Sequence, residues 1–316
     1  MAAFQSFAVC LLLVLFSRAR ASESPHPEEQ PEVHNVTDPY SQITFYLFTR
    51  FNPSVANQIY VGDLNGANFD PAKSTKFLVH GFAAQAFNSW PLDMKDAFLA
   101  LEDCNVITVD WAGLAAAPDY VAARANARPT GEYLAEMYFF LEGLGLSFDS
   151  MHCVGKSLGC HVCGFSGKAV LNETLNLIGR ISGMDPALPL FDIDRPENRL
   201  SIEDAALVDI MHTCGGVLGF EKPLGHIDFF PNGGVPVQPG CSPDITGNCS
   251  HSRAESFYIE SIPLNNFRAV QCESWELYLT GACVDNPFTF MGYLFDFSLT
   301  GNFFLETASE APFALG

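Results

Sequence analysis

The segment that most constrains this chain is Gly155-Lys156-Ser157-Leu158-Gly159, a G-x-S-x-G sequence. It directly follows the apolar run 151–154 and precedes a stretch with apolar residues at helical spacing. A strand, a sharp turn and a helix in this order place the serine at the apex of the turn, in a strained backbone conformation that requires small neighbours. The pattern predicts a nucleophile at Ser157. The alternative is a glycine-rich turn in which the serine only caps the helix.

Short apolar runs alternate with helical patterns along the rest of the chain. Residues 76–79, 106–109, 151–154 and 177–181 predict strands, and an amphipathic helix with Thr130 as its N-cap is predicted between the second and third. Strands that alternate with helices predict an α/β fold with a mainly parallel sheet. We expect one domain over residues 41–316, with no repeat or linker after residue 40.

The N-terminal residues predict a secreted protein. Residues 1–21 combine an apolar block with an A-x-A cleavage site ending at Ala21, as in a secretory leader. Residues 22–40 are rich in proline and glutamate and predict an acidic flexible or removable pro-segment. In an extracellular chain the sequons at Asn35, Asn172 and Asn248 are candidate glycosylation sites.

Cysteine usage agrees with an oxidising compartment. Cys10 lies in the leader, and nine of the ten cysteines remain, so at least one is unpaired or bonds to another chain. The pairs closest in sequence, which we predict as disulfides, are Cys241 with Cys249 and Cys272 with Cys283.

Two classes of partner are disfavoured. The Cys160-His161-Val162-Cys163 cluster lacks a second ligand pair at zinc-site spacing, so no metal is predicted there. Removing Arg18 and Arg20 with the leader would take the formal net charge from −20 to −22. This charge argues against nucleic acid and against polybasic attachment to anionic lipid.

A serine nucleophile needs a histidine base and a carboxylate that orients it, in the chain order serine, acid, histidine for this strand–turn–helix arrangement. Asp185 satisfies the order because it ends a predicted strand and precedes Pro186. An ordinary Asp-Pro turn is the alternative. Asp192 and Asp194 are rival acids further into the loop.

The base is left open by the residues alone. His212 ends the apolar run 207–211, His226 precedes a pair of phenylalanines, and His251 lies in a polar segment beside Cys249. His161 is one turn along the helix of Ser157 and cannot readily face the exposed apex.

An oxyanion hole requires two backbone N–H donors. Leu158, directly after the serine, supplies one. The natural source of the second is His80-Gly81-Phe82, which follows the strand predicted at 76–79.

Six motifs taken together are specific: His80-Gly81-Phe82, Val109-Asp110-Trp111, Pro118-Asp119-Tyr120, Gly155-Lys156-Ser157-Leu158-Gly159, Gly183-Met184-Asp185-Pro186-Ala187 and the run from His226 to Gly234. In these motifs, and over about residues 43–314, the chain resembles the pancreatic-type lipase family of α/β-hydrolases, and most closely its secreted short-lid insect members of the phospholipase A1 type. The resemblance implies a triad of Ser157, Asp185 and His251, oxyanion donors at Phe82 and Leu158, no cofactor, and a lipid substrate at a membrane, micelle or droplet surface.

Three features depart from the family pattern. Lys156 replaces the histidine that usually precedes the nucleophile. Where vertebrate members hold a structural calcium ion, Glu197, Arg199 and Asp204 have counterparts, but Ser201 stands where an Asp is expected. The C-terminal β-sandwich that binds colipase in pancreatic lipase has no counterpart, so no colipase partner is expected.

The fourth departure concerns the lid. In the family a disulfide-closed lid precedes the catalytic histidine, and here Cys241 and Cys249 enclose only residues 242–248. Triacylglycerol lipases have lids about three times longer with a gating amphipathic helix, which seven residues cannot form. The short lid favours a phospholipase A1. A triacylglycerol or galactolipid lipase is the alternative, and a non-catalytic yolk-type lipid-binding protein is disfavoured by the intact triad.

Overall fold

The structure, a computed structural model, describes residues 39–316. The predicted leader, Asn35 and the pro-segment up to residue 38 lie outside the described residues, so their boundaries stay predictions. Pro39–Gln42 forms a 3-10 helix. The strands are β1 Thr44–Phe48, β2 Asn57–Ile59, β3 Thr75–Val79, β4 Asn105–Asp110, β5 Met151–Lys156, β6 Ile178–Met184, β7 Ala205–Met211, β8 Ile227–Pro231, β9 Arg268–Gln271, β10 Phe288–Phe290 and β11 Gly301–Leu305.

These strands form one sheet in the order β10-β9-β11-β8-β7-β6-β5-β3-β4-β1-β2. The strands from β11 to β4 pair in parallel, whereas β10, β9, β1 and β2 pair antiparallel at the two edges. The carboxyl ends of the parallel strands therefore share one edge, where loops that carry functional side chains can meet. The predicted α/β-hydrolase fold with a mainly parallel sheet is present.

Helices cover both faces of the sheet. They are α1 Ser89–Leu101, α2 Tyr120–Gly143, α3 Leu158–Thr174, α4 Asn248–Ser261 and α5 Trp275–Leu279. Side chains alternate across each strand, so in β3 Phe77 and Val79 join the core beneath α2 and α3, while Leu78 joins the core beneath α1 and α4. A sheet buried on both faces explains the nearly continuous apolar runs in the sequence.

The prediction that Thr130 is the N-cap of helix α2 was wrong, because the helix begins ten residues earlier, at Tyr120. Asp119 caps the helix by accepting from the Ala122 amide at 2.9 Å, and Thr130 is buried in the interior with its hydroxyl donating to Asn126 O at 2.8 Å. Pro129 also lies inside the helix. Burial of the helix against α3 and the sheet outweighs the loss of one backbone N–H donor.

Three disulfides lie in the described part of the chain. Two are the predicted pairs, Cys241–Cys249 and Cys272–Cys283. The third, Cys153–Cys163, was not predicted and joins β5 to α3 on either side of the nucleophile turn. The remaining thiols of Cys104, Cys160 and Cys214 are buried. No helix of residues 39–316 is both long and apolar enough to span a bilayer.

Candidate active site

Ser157 occupies the turn between β5 and α3, as the motif predicts. Its φ of 56° and ψ of −119° lie in a region that a non-glycine residue seldom adopts. The close packing explains the two motif glycines: a Cβ at Gly159 would lie 2.1 Å from Val79 O, and one at Gly155 would lie 2.5 Å from the Cys160 amide nitrogen. The sequence therefore exposes a serine hydroxyl at the carboxyl edge of the sheet.

Asp185 directly follows β6, the neighbour of β5, and is fully buried with a φ of 50°. Its Oδ1 accepts from the amides of Thr213 at 2.7 Å and Cys214 at 3.0 Å. The loop after β7 thereby fixes one carboxylate oxygen and leaves the other free for a histidine. Gly219 packs against this group, because a Cβ there would lie 2.4 Å from Oδ1.

His251 lies in the first turn of α4, and its Nδ1 donates to Asp185 Oδ2 at 2.5 Å. Ser157 and His251 line the same two cavities. The structure thus brings together the three residues to which sequence and resemblance attach a triad. A histidine held at Nδ1 by a carboxylate presents Nε2 as the basic nitrogen, the arrangement that general-base activation of a serine requires.

The other candidate bases and acids form no hydrogen bond with Asp185 or His251 in the structure. His212 is buried between Phe220 O, 2.7 Å from Nδ1, and Asp228 Oδ1, 2.8 Å from Nε2. His226 accepts from the Val208 amide at 3.0 Å. Asp192 and Asp194 are exposed in the loop beyond Asp185. Of the downstream histidines, His251 is the one that meets Asp185.

The loop expected to supply the second oxyanion donor packs against the nucleophile. A Cβ at Gly81 would lie 2.9 Å from Ser157 Cβ and 3.5 Å from the Leu158 nitrogen. His80 and Trp111 hold the loop: His80 Nδ1 lies 2.9 Å from Gly81 O, and Trp111 Nε1 donates to His80 O at 2.9 Å. The Phe82 and Leu158 amides consequently lie on two segments that meet at the serine, and their role as donors stays a prediction.

Two cavities meet at Ser157 and differ in chemistry. The apolar cavity, about 410 Å³, and the polar cavity, about 320 Å³, share Phe82, Ser157, Asn248 and His251. The apolar cavity is otherwise lined by Tyr120, Ala187, Pro189 and Leu218. The polar cavity is otherwise lined by Gly81, Ala84, Asn88, Ser89, Trp90, Lys156, Ser252 and Glu255. A serine between an apolar and a polar cavity suits an ester that has an apolar group on one side of the ester bond and a polar group on the other.

The segment between Cys241 and Cys249 is a short loop that leads into α4, whose first residue is Asn248. Asp244 in this loop accepts from the amides of Cys249 at 3.2 Å and Ser250 at 2.8 Å, which caps the helix that carries His251. Asn248 is exposed at the mouth of both cavities, and Asn172 is exposed on α3. Their glycosylation stays a prediction.

Exposed aliphatic residues are neighbours in sequence of residues that line the apolar cavity. Val121, Leu190 and Val217 each follow or precede a lining residue, and a Cβ at Gly247 of the lid loop would lie 3.2 Å from Val217 Cγ1. Ile245 at the tip of the lid loop is 94% exposed. We call these four residues the apolar rim; such exposed apolar groups at a cavity mouth are typical of contact with a lipid or protein surface.

The residues of the Cys160-His161-Val162-Cys163 cluster contribute to the fold. Cys163 is in a disulfide, and Cys160 Sγ donates to Gly155 O at 3.1 Å. His161 is buried, with Nε2 donating to Ala187 O at 2.8 Å and Nδ1 accepting from Leu200 N at 3.1 Å. Burial lowers the pKa of His161 to about 3. Within residues 39–316 no group of three or more His, Cys, Asp or Glu side chains is placed to hold a metal ion.

The segment that resembles a calcium site does not fit a calcium ion. The carboxylate of Asp204 forms an ion pair with Lys168 and accepts from the Ser201 amide at 2.8 Å. Lys168 also donates to Ser201 Oγ at 3.1 Å, and Arg199 donates to two backbone carbonyls. The ammonium of Lys168 thus occupies Asp204 Oδ1 and Ser201 Oγ, two of the oxygens that a cation would need.

Sequence reasoning missed several residues of the site. The amides of Thr213 and Cys214 that fix Asp185, and the Ser252 and Glu255 side chains in the polar cavity, carry no motif. The Cys153–Cys163 disulfide had a usable signal, because its spacing of ten residues resembles that of the two predicted pairs.

Comparison with known proteins agrees with this geometry. Lipase member H of Xenopus tropicalis is 35% identical over 288 residues, which is 88% of this chain and 61% of that protein. Pancreatic triacylglycerol lipase of Mus musculus is 33% identical over 265 residues, 76% of this chain and 56% of that protein. The chain therefore spans about 60% of the length of the first of these relatives.

Similarity to solved structures is low. Brefeldin A esterase, a bacterial homologue of human hormone sensitive lipase, is 15% identical over 52% of this chain and 44% of that chain, with a TM-score of 0.31. The model of the lipase family, in contrast, matches residues 9–313, nearly the whole sequence. The chain therefore belongs to the lipase family.

Proposed function

We propose that this protein is a serine hydrolase of lipid carboxylic esters, and that its preferred substrates are glycerophospholipids cleaved as by a phospholipase A1. The observation that carries the hydrolase proposal is the Nδ1–Oδ2 hydrogen bond between His251 and Asp185 at cavities that Ser157 also lines. Membership of the lipase family supports the lipid as substrate.

The contacts of Asp185 and His251 support the following reaction. His251 Nε2 removes the proton of the Ser157 hydroxyl as the serine oxygen attacks the ester carbonyl, and the Phe82 and Leu158 amides stabilise the negative oxygen that develops. The protonated histidine gives its proton to the departing alcohol. A water molecule, deprotonated by the same histidine, then attacks the acyl-serine; the bond to Ser157 breaks, the histidine returns the proton to the serine oxygen, and the fatty acid is released. Asp185 orients the ring and stabilises its charged form throughout.

The two cavities support the orientation of the substrate. The fatty acyl chain lies in the apolar cavity, and the alcohol portion with its head group lies in the polar cavity. The lid loop of this chain supports a phospholipid over a triacylglycerol, because residues 241–247 form no helix that could cover the polar cavity. A triacylglycerol would have to place a second acyl chain among polar side chains.

The experiment is hydrolysis of phosphatidylcholine and triolein presented in matched mixed micelles, with identification of the fatty acid released from a phosphatidylcholine with different chains at its two positions. We expect preference for phosphatidylcholine and release from the outer glycerol position. Ser157→Ala is the control and is expected to fold and to lose hydrolysis. Phospholipid hydrolysis by Ser157→Ala would refute the mechanism; strong preference for triolein would refute the phospholipase assignment.

A neutral-glyceride or galactolipid lipase is the second candidate. It is favoured by the similarity to pancreatic triacylglycerol lipase and by the neutral hydrogen-bonding groups, such as Asn88 and Ser89, that line the polar cavity. A non-catalytic lipid-binding protein would have the same fold. Labelling with a fluorophosphonate probe distinguishes it, since only an activated Ser157 reacts.

We further propose that the protein acts outside the cell at a membrane, micelle or droplet surface without colipase. Three disulfides in residues 39–316 support an oxidising compartment. The apolar rim supports contact with a lipid surface.

A further inference from the structure

The polar cavity contains one ion pair beside the nucleophile. Lys156 is the last residue of β5, and its ammonium pairs with the carboxylate of Glu255 and donates to Ser252 Oγ at 3.3 Å. The two charged side chains are only 15% and 18% exposed. Ser252 and Glu255 lie on α4, within one turn of His251. A charged pair therefore lies in a partly dehydrated cavity within reach of the alcohol side of a bound ester.

The surroundings define what this pair can recognise. A half-buried ammonium binds phosphate oxygens more strongly than an exposed one, because less water screens the interaction. The neighbouring carboxylate leaves the pair close to neutral and repels a second anionic group. Trp90 also lines this cavity, and an aromatic face attracts quaternary ammonium groups. A cation, an anion and an aromatic ring in one cavity complement a zwitterion.

We propose that Lys156 and Glu255 form the head-group site of the enzyme: Lys156 contacts the phosphate of a glycerophospholipid, and Glu255 favours zwitterionic over anionic head groups. This rests on the proposed phospholipid hydrolysis and adds the residues that select the head group. The apolar cavity on the other side of Ser157 then receives the acyl chain, so the two ends of one substrate are recognised independently.

A structural role for the same pair predicts a different outcome. Lys156 and Glu255 connect the nucleophile strand to the helix of His251, so the pair could act only by holding the base in place. Its loss would then lower hydrolysis of every ester equally and would shift the pH profile that reports His251. A head-group site instead affects substrates with a phosphate, mainly in KM.

The experiment compares dioctanoyl phosphatidylcholine with dioctanoylglycerol, which carry the same acyl chains with and without the phosphocholine. For Lys156→Met we expect kcat/KM for the phospholipid to fall about tenfold relative to that for the glyceride, as befits the loss of one hydrogen bond to a charged group. Lys156→Arg keeps the cation and should restore most of the ratio. Glu255→Gln should raise kcat/KM for dioctanoyl phosphatidylglycerol relative to phosphatidylcholine.

Each outcome decides between the possibilities. Equal losses on both substrates with a shifted pH profile would overturn the head-group site while leaving phospholipid hydrolysis intact. An unchanged ratio between phosphatidylglycerol and phosphatidylcholine in Glu255→Gln would overturn the role of the carboxylate. If the wild-type protein hydrolyses dioctanoylglycerol but not dioctanoyl phosphatidylcholine, the proposed phospholipase function itself fails, and the head-group site with it.

Discussion

Asp185 and His251 are 66 residues apart in sequence, yet Oδ2 of one lies 2.5 Å from Nδ1 of the other. The contact requires the carboxyl end of β6 to lie beside the first turn of α4 in space, and separate hydrogen bonds fix each of these two segments. Amides of the loop after β7 fix the aspartate, and Asp244 caps the helix of the histidine. The pair is therefore preorganised, so little rearrangement is needed before catalysis.

Asp185→Asn should lower kcat on a soluble p-nitrophenyl ester by about 10⁴, because an amide neither orients His251 in the same tautomer nor stabilises its charged form. Asp192→Asn, which alters an exposed aspartate seven residues further along, is the matched control and should retain activity. Thermal unfolding followed by circular dichroism checks that both variants fold. Full activity of Asp185→Asn would contradict the triad.

Gly219→Ala should reduce activity without removing any catalytic group. The added Cβ would lie 2.4 to 2.6 Å from all three atoms of the Asp185 carboxyl group, so the carboxylate must move away from His251. A displacement of about 1 Å in a catalytic group lowers the rate on the order of 10²-fold. Gly143→Ala, where a Cβ meets no atom within 4 Å, is the control. Equal kcat values for the two variants would show that the acid tolerates displacement.

Ile245→Ser tests the apolar rim. We expect weaker hydrolysis of phospholipid vesicles and unchanged kcat on a soluble short-chain ester, because a 94% exposed isoleucine contributes to contact with lipid and not to the fold. Leu175→Ser changes a leucine that is 85% exposed at the C-cap of α3, at the opposite end of that helix from Ser157, and should leave both activities alone. Vesicle activity of Ile245→Ser equal to that of Leu175→Ser would count against lipid contact by the lid loop.

Lys168→Met should destabilise the fold by about 3–5 kcal/mol, because it leaves the carboxylate of Asp204, 1% exposed, without its cation. Lys222→Met, at an exposed lysine, should change the free energy of unfolding by less than about 0.5 kcal/mol. Urea unfolding measures both. A chelator should leave the unfolding of the wild-type protein unchanged, and a chelator-induced loss of stability would show that a metal ion binds after all.

The stability should depend on pH through His161. Burial lowers its pKa to about 3 in the folded protein, whereas the unfolded chain titrates near pH 6.5. Between these values the unfolded state binds a proton that the folded state rejects, so the free energy of unfolding falls as the pH falls, by up to about 1.4 kcal/mol per pH unit. For His161→Gln, the free energy of unfolding from urea titrations should depend less steeply on pH between pH 6 and 4 than for the wild-type protein. Equal slopes for the two proteins would exclude this histidine as the cause.

The positions of Ser157 and Asp185 in the fold could be predicted because each is defined by a local pattern. Ser157 needs only its flanking strand, helix and glycines, and Asp185 needs only the end of the next strand. The base could not be chosen this way, because His212, His226 and His251 differ in what they contact after folding. Only resemblance separated them, and in the structure His251 alone of the three contacts Asp185.

Long-range packing accounts for the errors. The start of α2 was placed at Thr130 because a threonine just before apolar residues at helical spacing is a typical N-cap. Burial against α3 instead extends the helix back through Pro129 to Tyr120. The Cys153–Cys163 bond was missed because alternation along a strand does not reveal which cysteine faces the helix above. Glu255 and Ser252 approach Lys156 only once α4 packs beside β5.

The position of Cys249 has an evolutionary consequence. This cysteine closes the lid loop and also belongs to the first turn of the helix that carries His251, two residues further along. Both ends of the loop are thus fixed by a covalent bond and by the cap from Asp244. Residues inserted between them would enlarge the cover over the cavities without moving the histidine. The length of this loop can therefore change in evolution without displacing the contact between His251 and Asp185.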